Sequence, residues 1–317
     1  LAVTLALVWL WLHRGSYDGE KPPRGYGSTK QVVAAVGIGA LRLVDMTPPL
    51  PAGVVETKGI EYGRVEPWVL QLDLHQPRDR GTNLVPGLLF LHGGAWRGGQ
   101  REDYRVYTTW FAERGFVAAT ASYRLQQAAK YPAALEDCKA AVRWMRANAA
   151  KIGVDPERIV VLGGSAGGHL SMMLGYTADD PAFEGQSGTP GVSSRVAAVV
   201  DLYGPADLTT PFGQAASVVW DFLGKKYDED PELWRRASPL FHLKKGAPPT
   251  LVFHGTIDDT VPIDQGDSLV AKLRELGVPH EYHRLEGWPH TLDAARPMNE
   301  FCRDRIERFV KEHLAKR

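Results

Sequence analysis

Short apolar runs recur along the chain, and segments with helical spacing lie between several of them. Residues 67–74 and 280–285 alternate apolar and polar positions, whereas 88–91, 116–121, 158–162, 196–202 and 250–253 are almost continuously apolar. Alternation with period two predicts a strand with one covered face; an unbroken apolar run bounded by turn residues predicts a strand covered on both faces. Helical spacing marks 135–149 ahead of Gly153, 169–176 after a glycine pair, and a segment from about residue 291. Strands alternating with helices predict an α/β fold, a mostly parallel central sheet flanked by helices. Loops at the carboxyl ends of such strands collect functional groups.

Three of those strand ends carry candidate chemistry. The run 158–162 opens into Gly163-Gly164-Ser165-Ala166-Gly167-Gly168, a G-x-S-x-G pattern between a strand and a helix. Small flanking residues let the chain turn sharply there and hold the Ser165 hydroxyl out of the sheet. The run 88–91 opens into His92-Gly93-Gly94-Ala95-Trp96-Arg97-Gly98-Gly99. Backbone amides at Gly93, Gly94 and Ala95, with that of Ala166 at a helix N-terminus, are candidate donors to an oxyanion. A flexible turn is the alternative reading of this loop, and no phosphate-loop pattern is present.

A serine hydroxyl is a weak nucleophile near neutral pH, so it needs a base in hydrogen-bond reach and a carboxylate to orient that base. The run 250–253 leads into His254-Gly255-Thr256-Ile257-Asp258-Asp259, and 280–285 leads into Glu286-Gly287-Trp288-Pro289-His290. Asp258 is the expected carboxylate, Asp259 the runner-up and His290 the expected base. His254 reads as structural and His92 as a residue shaping the glycine loop. The chain order Ser165, Asp258, His290 is that of an α/β-hydrolase triad.

On these motifs, the chain from about Glu61 onward resembles the α/β-hydrolase esterases and lipases. The segments 92–96, 163–170 and 254–258 with Val261-Pro262 are similar to feruloyl-esterase-like and hormone-sensitive-lipase-like carboxylesterases. Tyr131 to Asp137 and Ala140 to Trp144 also fit that group. Ala95-Trp96 stands where many hormone-sensitive-lipase-like members carry another glycine, and Gly164 where they carry an acidic residue; both favour the feruloyl-esterase-like branch. The resemblance implies a serine carboxylesterase acting on small-molecule esters, with no cofactor. Amide, formamide or peptide hydrolysis by the same triad is the first alternative, and a non-catalytic binding module on this fold the second.

Between the strands ending near Tyr203 and beginning near Pro249 lie about 45 residues, long enough for a small helical cap at about 204–248. Its aromatics Phe212, Trp220, Phe222, Tyr227, Trp234 and Phe241 are candidates to wall an apolar pocket, and Tyr203, Trp96 and Trp288 adjoin the motifs themselves. Upstream of the catalytic domain, expected over 46–317, residues 1–45 form a hydrophobic segment and linker. Residues 1–12 are almost wholly apolar; a spanning helix needs about 20 residues and a secretory apolar core about 7 to 15. The segment reads as a signal or anchor remnant, or as a buried helix. Residues 16–30 read as a linker or extended arm and 31–44 as a short apolar helix, together lying over the active-site mouth or on a membrane surface. Export or membrane association is the expected localisation, with a cytoplasmic protein as the alternative.

Lys and Arg together number 37, as do Asp and Glu, so zero formal net charge offers no electrostatic basis for nucleic-acid binding. The two cysteines, Cys138 and Cys302, match no metal spacing and read as buried thiols that an oxidising compartment could pair if geometry permits.

Overall fold

The computed structural model describes residues 17–315; the 1–12 apolar segment falls outside them. Eight strands form one sheet: β1 (Val54–Val65), β2 (Trp68–Pro77), β3 (Val85–Leu91), β4 (Val117–Ala121), β5 (Val154–Gly164), β6 (Ala198–Leu202), β7 (Thr250–Gly255) and β8 (His280–Leu285). Their order is β1-β2-β4-β3-β5-β6-β7-β8. β1 and β2 pair antiparallel with their neighbours, and every pair from β4 onward across the sheet is parallel. This is the α/β-hydrolase arrangement that the resemblance implied.

The helices are α1 (Thr29–Gly37), α2 (Arg105–Glu113), α3 (Ala133–Ala147), α4 (Ala149–Ile152), α5 (Ala166–Tyr176), α6 (Pro211–Ala215), α7 (Ser217–Leu223), α8 (Pro231–Arg236), α9 (Asp264–Glu275) and α10 (Arg296–His313). The continuously apolar strands are covered on both sides. Leu89, Leu91, Val161, Val199 and Val252 point into one core with α3, α5 and α9, while Leu88, Phe90, Val160, Val200 and Phe253 point into the other with α2 and α10. Period-two geometry divides each strand between the two cores. Cys138 belongs to the first core and Cys302 to the second; both are free and buried, and the sheet between them rules out a disulfide.

The 204–248 insertion forms α6, α7 and α8; Phe222 and Trp234 pack inward, Phe212, Trp220 and Tyr227 are half-buried, and Phe241 is exposed. Phe222 stacks on Trp96 at 4.4 Å between ring centroids, Trp234 is fully buried, and Trp220 Nε1 donates to the Gln214 carbonyl at 2.7 Å. Burying rings of this size stabilises the fold by roughly 1.5–3 kcal/mol each; these aromatics hold the insertion on the sheet.

The N-terminal part departs furthest from a simple linker. Trp288 Nε1 donates to the Pro23 carbonyl at 2.8 Å, Tyr26 N donates to Gly287 O at 2.8 Å, and Tyr17 packs edge-on against Phe301. The helix expected over 31–44 covers Thr29–Gly37, with Ser28 capping it. Gly39, at φ 73°, then turns the chain. Residues 42–44 run antiparallel to 294–296, with Val44 N donating to Ala294 O at 2.9 Å and Arg296 N to Arg42 O at 2.8 Å. Among the described residues, no helix is long and apolar enough to cross a membrane.

Candidate active site

Ser165 sits between β5 and α5 with φ 57° and ψ −122°, a conformation that non-glycine residues adopt only when the surroundings hold them there. Its neighbours show why the turn needs glycine. A Cβ on Gly163 would lie 2.5 Å from the Leu91 carbonyl oxygen, and one on Gly167 2.0 Å from the same oxygen. Ser165 N donates to Leu202 O at 2.9 Å, fixing the turn to β6.

His290 lies between Ser165 and Asp258. Its Nε2 is 3.0 Å from Ser165 Oγ, and its Nδ1 is 2.7 Å from Asp258 Oδ2. Asp258 ends the turn after β7. Its Oδ1 accepts from Thr260 N at 2.9 Å and Val261 N at 2.8 Å. Burial pushes the Asp258 carboxyl up, but hydrogen bonds from His254, His290 and Val261 N–H, with the His290 charge, outweigh it and hold it at about 2. That carboxylate holds Nδ1 as the donor, which leaves Nε2 to accept the serine proton. Asp259, the runner-up, is turned outward, where its Oδ2 accepts from Thr29 Oγ1 at 3.4 Å.

His254 stands behind the carboxylate. Its Nε2 donates to Val261 O at 2.9 Å and lies 3.5 Å from Asp258 Oδ2, so it braces the same Val261 peptide whose N–H binds Asp258. His92 stacks on Tyr123 at 4.3 Å and donates from Nδ1 to Gly93 O at 2.9 Å, while Tyr123 Oη donates to His92 O. These contacts shape the glycine loop, in which Gly94, Ala95 and Trp96 all have positive φ. The loop packs on the serine turn, since a Cβ on Gly93 would lie 2.9 Å from Gly164 O. Ala166 begins α5, so its N–H has no partner within the helix.

A cavity of about 820 Å³ opens over this arrangement. Ser165, His290, Gly93, Gly94, Ala95 and Tyr203 border it. Trp96, Trp220 and Trp288 do not: Trp96 is sealed between Phe222 and His169, Trp220 packs within the insertion, and Trp288 holds the N-terminal arm. For Trp96 and Trp220 this corrects the expectation that they wall the pocket, whereas Trp288 borders a smaller cavity that also touches His290. Val44, Met46, Val106 and Tyr107 supply apolar wall instead.

Sequence reasoning missed a polar cluster beside His290. Tyr203, at φ 47°, sets its ring edge-on to the imidazole at 4.8 Å. Its hydroxyl donates to Asp293 Oδ1, and Tyr107 Oη donates to Asp293 Oδ2 at 2.9 Å. Burial raises the Asp293 pKa against the pull of these two donors. The hydroxyls of Tyr104 and Tyr203 occupy the space beside Gly164, where a Cβ would approach within 2.7 and 2.8 Å of them. The Tyr104 and Tyr107 pair at i, i+3 and Asp293 three residues past His290 were the available signals.

The BD-FAE family model matches residues 72–273. Esterase LipC of Mycobacterium tuberculosis is 34% identical over 293 residues, covering 84% of this chain and 72% of that protein. The probable carboxylic ester hydrolase LipM of the same organism is 32% identical over 266 residues, and there the chain spans 60% of the relative's length. A thermophilic esterase structure from Thermogutta terrifontis superposes with a TM-score of 0.71 at 27% identity, covering 87% of this chain and 96% of that one. Another structure of that esterase has propionate bound.

Proposed function

The chain belongs to the BD-FAE family of α/β-hydrolases, and from that premise we propose that it is a serine carboxylesterase working through an acyl-enzyme at Ser165. The observation that carries this reading is the unbroken hydrogen-bonded series from Ser165 Oγ through His290 to Asp258 on the wall of an open cavity. Ser165 Oγ attacks the ester carbonyl carbon as its proton passes to His290 Nε2. Asp258 keeps the Nδ1 proton in place and stabilises the imidazolium that forms. Amides of Gly94, Ala95 and Ala166 receive the developing oxyanion, each contributing on the order of 3 kcal/mol. Collapse of the tetrahedral species expels the alcohol, whose oxygen takes the proton from His290. Water, deprotonated by His290, then releases the acid.

The substrate class is a small-molecule carboxylic ester, in keeping with the names of the relatives and with the apolar wall of Val44, Met46 and Val106. The test is turnover of p-nitrophenyl esters from acetate to palmitate, with methyl ferulate alongside, by the native chain and by Ser165→Ala. The variant should fold and lose at least about 10⁴-fold in kcat. Undiminished turnover by Ser165→Ala would end the proposal, and turnover of matched amides in preference to esters would move it to amide hydrolysis.

A further inference from the structure

A second cavity, of about 350 Å³, is bordered by α1 and by residues of the 288–295 segment. It shares Thr260, His290, Thr291 and Ala294 with the larger one, so the two lie side by side along this segment. Val33, Leu41, Leu43, Trp288 and Leu292 make most of its wall, with Asp259 among the polar residues at its border. Val33 is 65% exposed and Leu43 54%, and these two open side chains border the same groove rather than lying scattered. The groove is firmly built. The backbone pairing of 42–44 with 294–296 forms one edge, and the Trp288 to Pro23 hydrogen bond holds the arm that carries α1.

Which part of an ester belongs there follows from proton transfer. Gly93, Gly94, Ala95 and Ser165 border the larger cavity and not the second, so an acyl group with its oxygen on the oxyanion amides stays in the larger one. The alcohol oxygen must come within hydrogen-bond reach of His290 Nε2 to be protonated as it leaves. Its alkyl chain therefore starts at His290, the one residue of the triad that borders both cavities.

We propose that the groove between α1 and residues 289–295 is the leaving-group subsite, and that it binds an extended apolar alcohol. The inference rests on the serine-esterase reading and adds to it the alcohol half of the substrate. Fully burying a methylene is worth up to about fourfold in kcat/KM, and a groove open along one side gives about half that effect or less. For the native chain, kcat/KM should rise at least tenfold from ethyl to octyl acetate.

Val33→Thr and Leu43→Gln keep side-chain size while making the wall polar, and both sites are exposed enough that the fold is untouched. The double variant should flatten the rise along the alkyl acetates. The optimum along the p-nitrophenyl acyl series, in which the leaving group is constant, should not move, and the circular dichroism spectrum and thermal midpoint should match those of the native chain. Because the acyl-enzyme has already lost its alcohol, kcat under deacylation-limited conditions should stay unchanged while KM for octyl acetate rises. Loss of acyl-length dependence instead, or an unchanged alkyl series, overturns the proposal. Ser165→Ala turning over every ester as well as the native chain would instead show that the esterase reading itself has failed.

Discussion

Replacing Asp258 with Asn tests the electrostatic core of the site with two independent readouts. The carboxyl is held at about 2 against an ordinary 3.8. At 1.36 kcal/mol per pKa unit, its folded-state interactions contribute about 2 kcal/mol. Because the folded value is the lower one, this stability is present above pH 3.8. As pH falls, the unfolded chain takes up the proton first, and the contribution drains away between about pH 4 and pH 2. The difference in urea-unfolding free energy between native chain and Asp258→Asn should therefore shrink by about 2 kcal/mol across that window. In the same variant an amide faces His290 Nδ1, and nothing then enforces the tautomer whose Nε2 accepts the Ser165 proton. By the serine-protease precedent, kcat on p-nitrophenyl butyrate at pH 7.5 should fall about 10⁴-fold. Turnover within tenfold of native, with the acid-range difference unchanged, would refute both the carboxylate's role and the assignment of its depressed pKa to His290 and His254.

Gly164→Ala places a methyl 2.7 Å from Tyr104 Oη and 2.8 Å from Tyr203 Oη, so we expect a cost of about 1–3 kcal/mol in thermal or urea unfolding. Because Tyr203 abuts His290, at least a tenfold fall in kcat should accompany it; native kinetics would show that Tyr203 does not position the imidazole. Trp288→Ala should cost about 3–5 kcal/mol and expose residues 17–28 to limited proteolysis, whereas Trp288→Phe, which removes the donor to Pro23, should cost about 1 kcal/mol. An uncleaved arm in the alanine variant would show that the indole does not anchor it. Asp201 is fully buried, and burial outweighs its favourable partners His254 and Gly204 N–H to raise it from 3.8 to about 7. The native chain should lose stability relative to Asp201→Asn as pH climbs from 4 to 7, by up to about 4 kcal/mol; parallel stability curves for the two would exclude a neutral buried carboxyl.

The sheet was legible because each inner strand is a short apolar run that meets no competing signal, as in 88–91 and 250–253. β1 was not: its burial alternates irregularly around register shifts near Gly59 and Gly63, so no clean period reaches the sequence. The spacing of Ser165, Asp258 and His290 could be read because each follows a strand, and their mutual distances come from the sheet that aligns those strand ends. What escaped was the partner of each indole. A tryptophan beside a motif looks the same in sequence whether it faces substrate, as expected of Trp96, or stacks on Phe222 from a distant insertion. The arm escaped for the same reason: glycine and proline at 16–30 signal an extended chain, and its hold on Trp288 comes from across the molecule.

The separation of that contact, 265 residues between Pro23 and Trp288, has a consequence for how the protein is made. Ribosomes add about 5–20 residues per second, so the arm waits roughly 15 to 50 seconds for the indole that receives it. During that interval the groove lacks the wall that Trp288 and Leu292 supply, and His290 has not yet been synthesised. The nascent chain can pack the first strands of its sheet, yet the hydrogen-bonded series of Ser165, His290 and Asp258 and the groove beside it come into being together, late in translation. On the proposed mechanism, a growing chain has no esterase activity until the segment that carries His290 has cleared the exit tunnel.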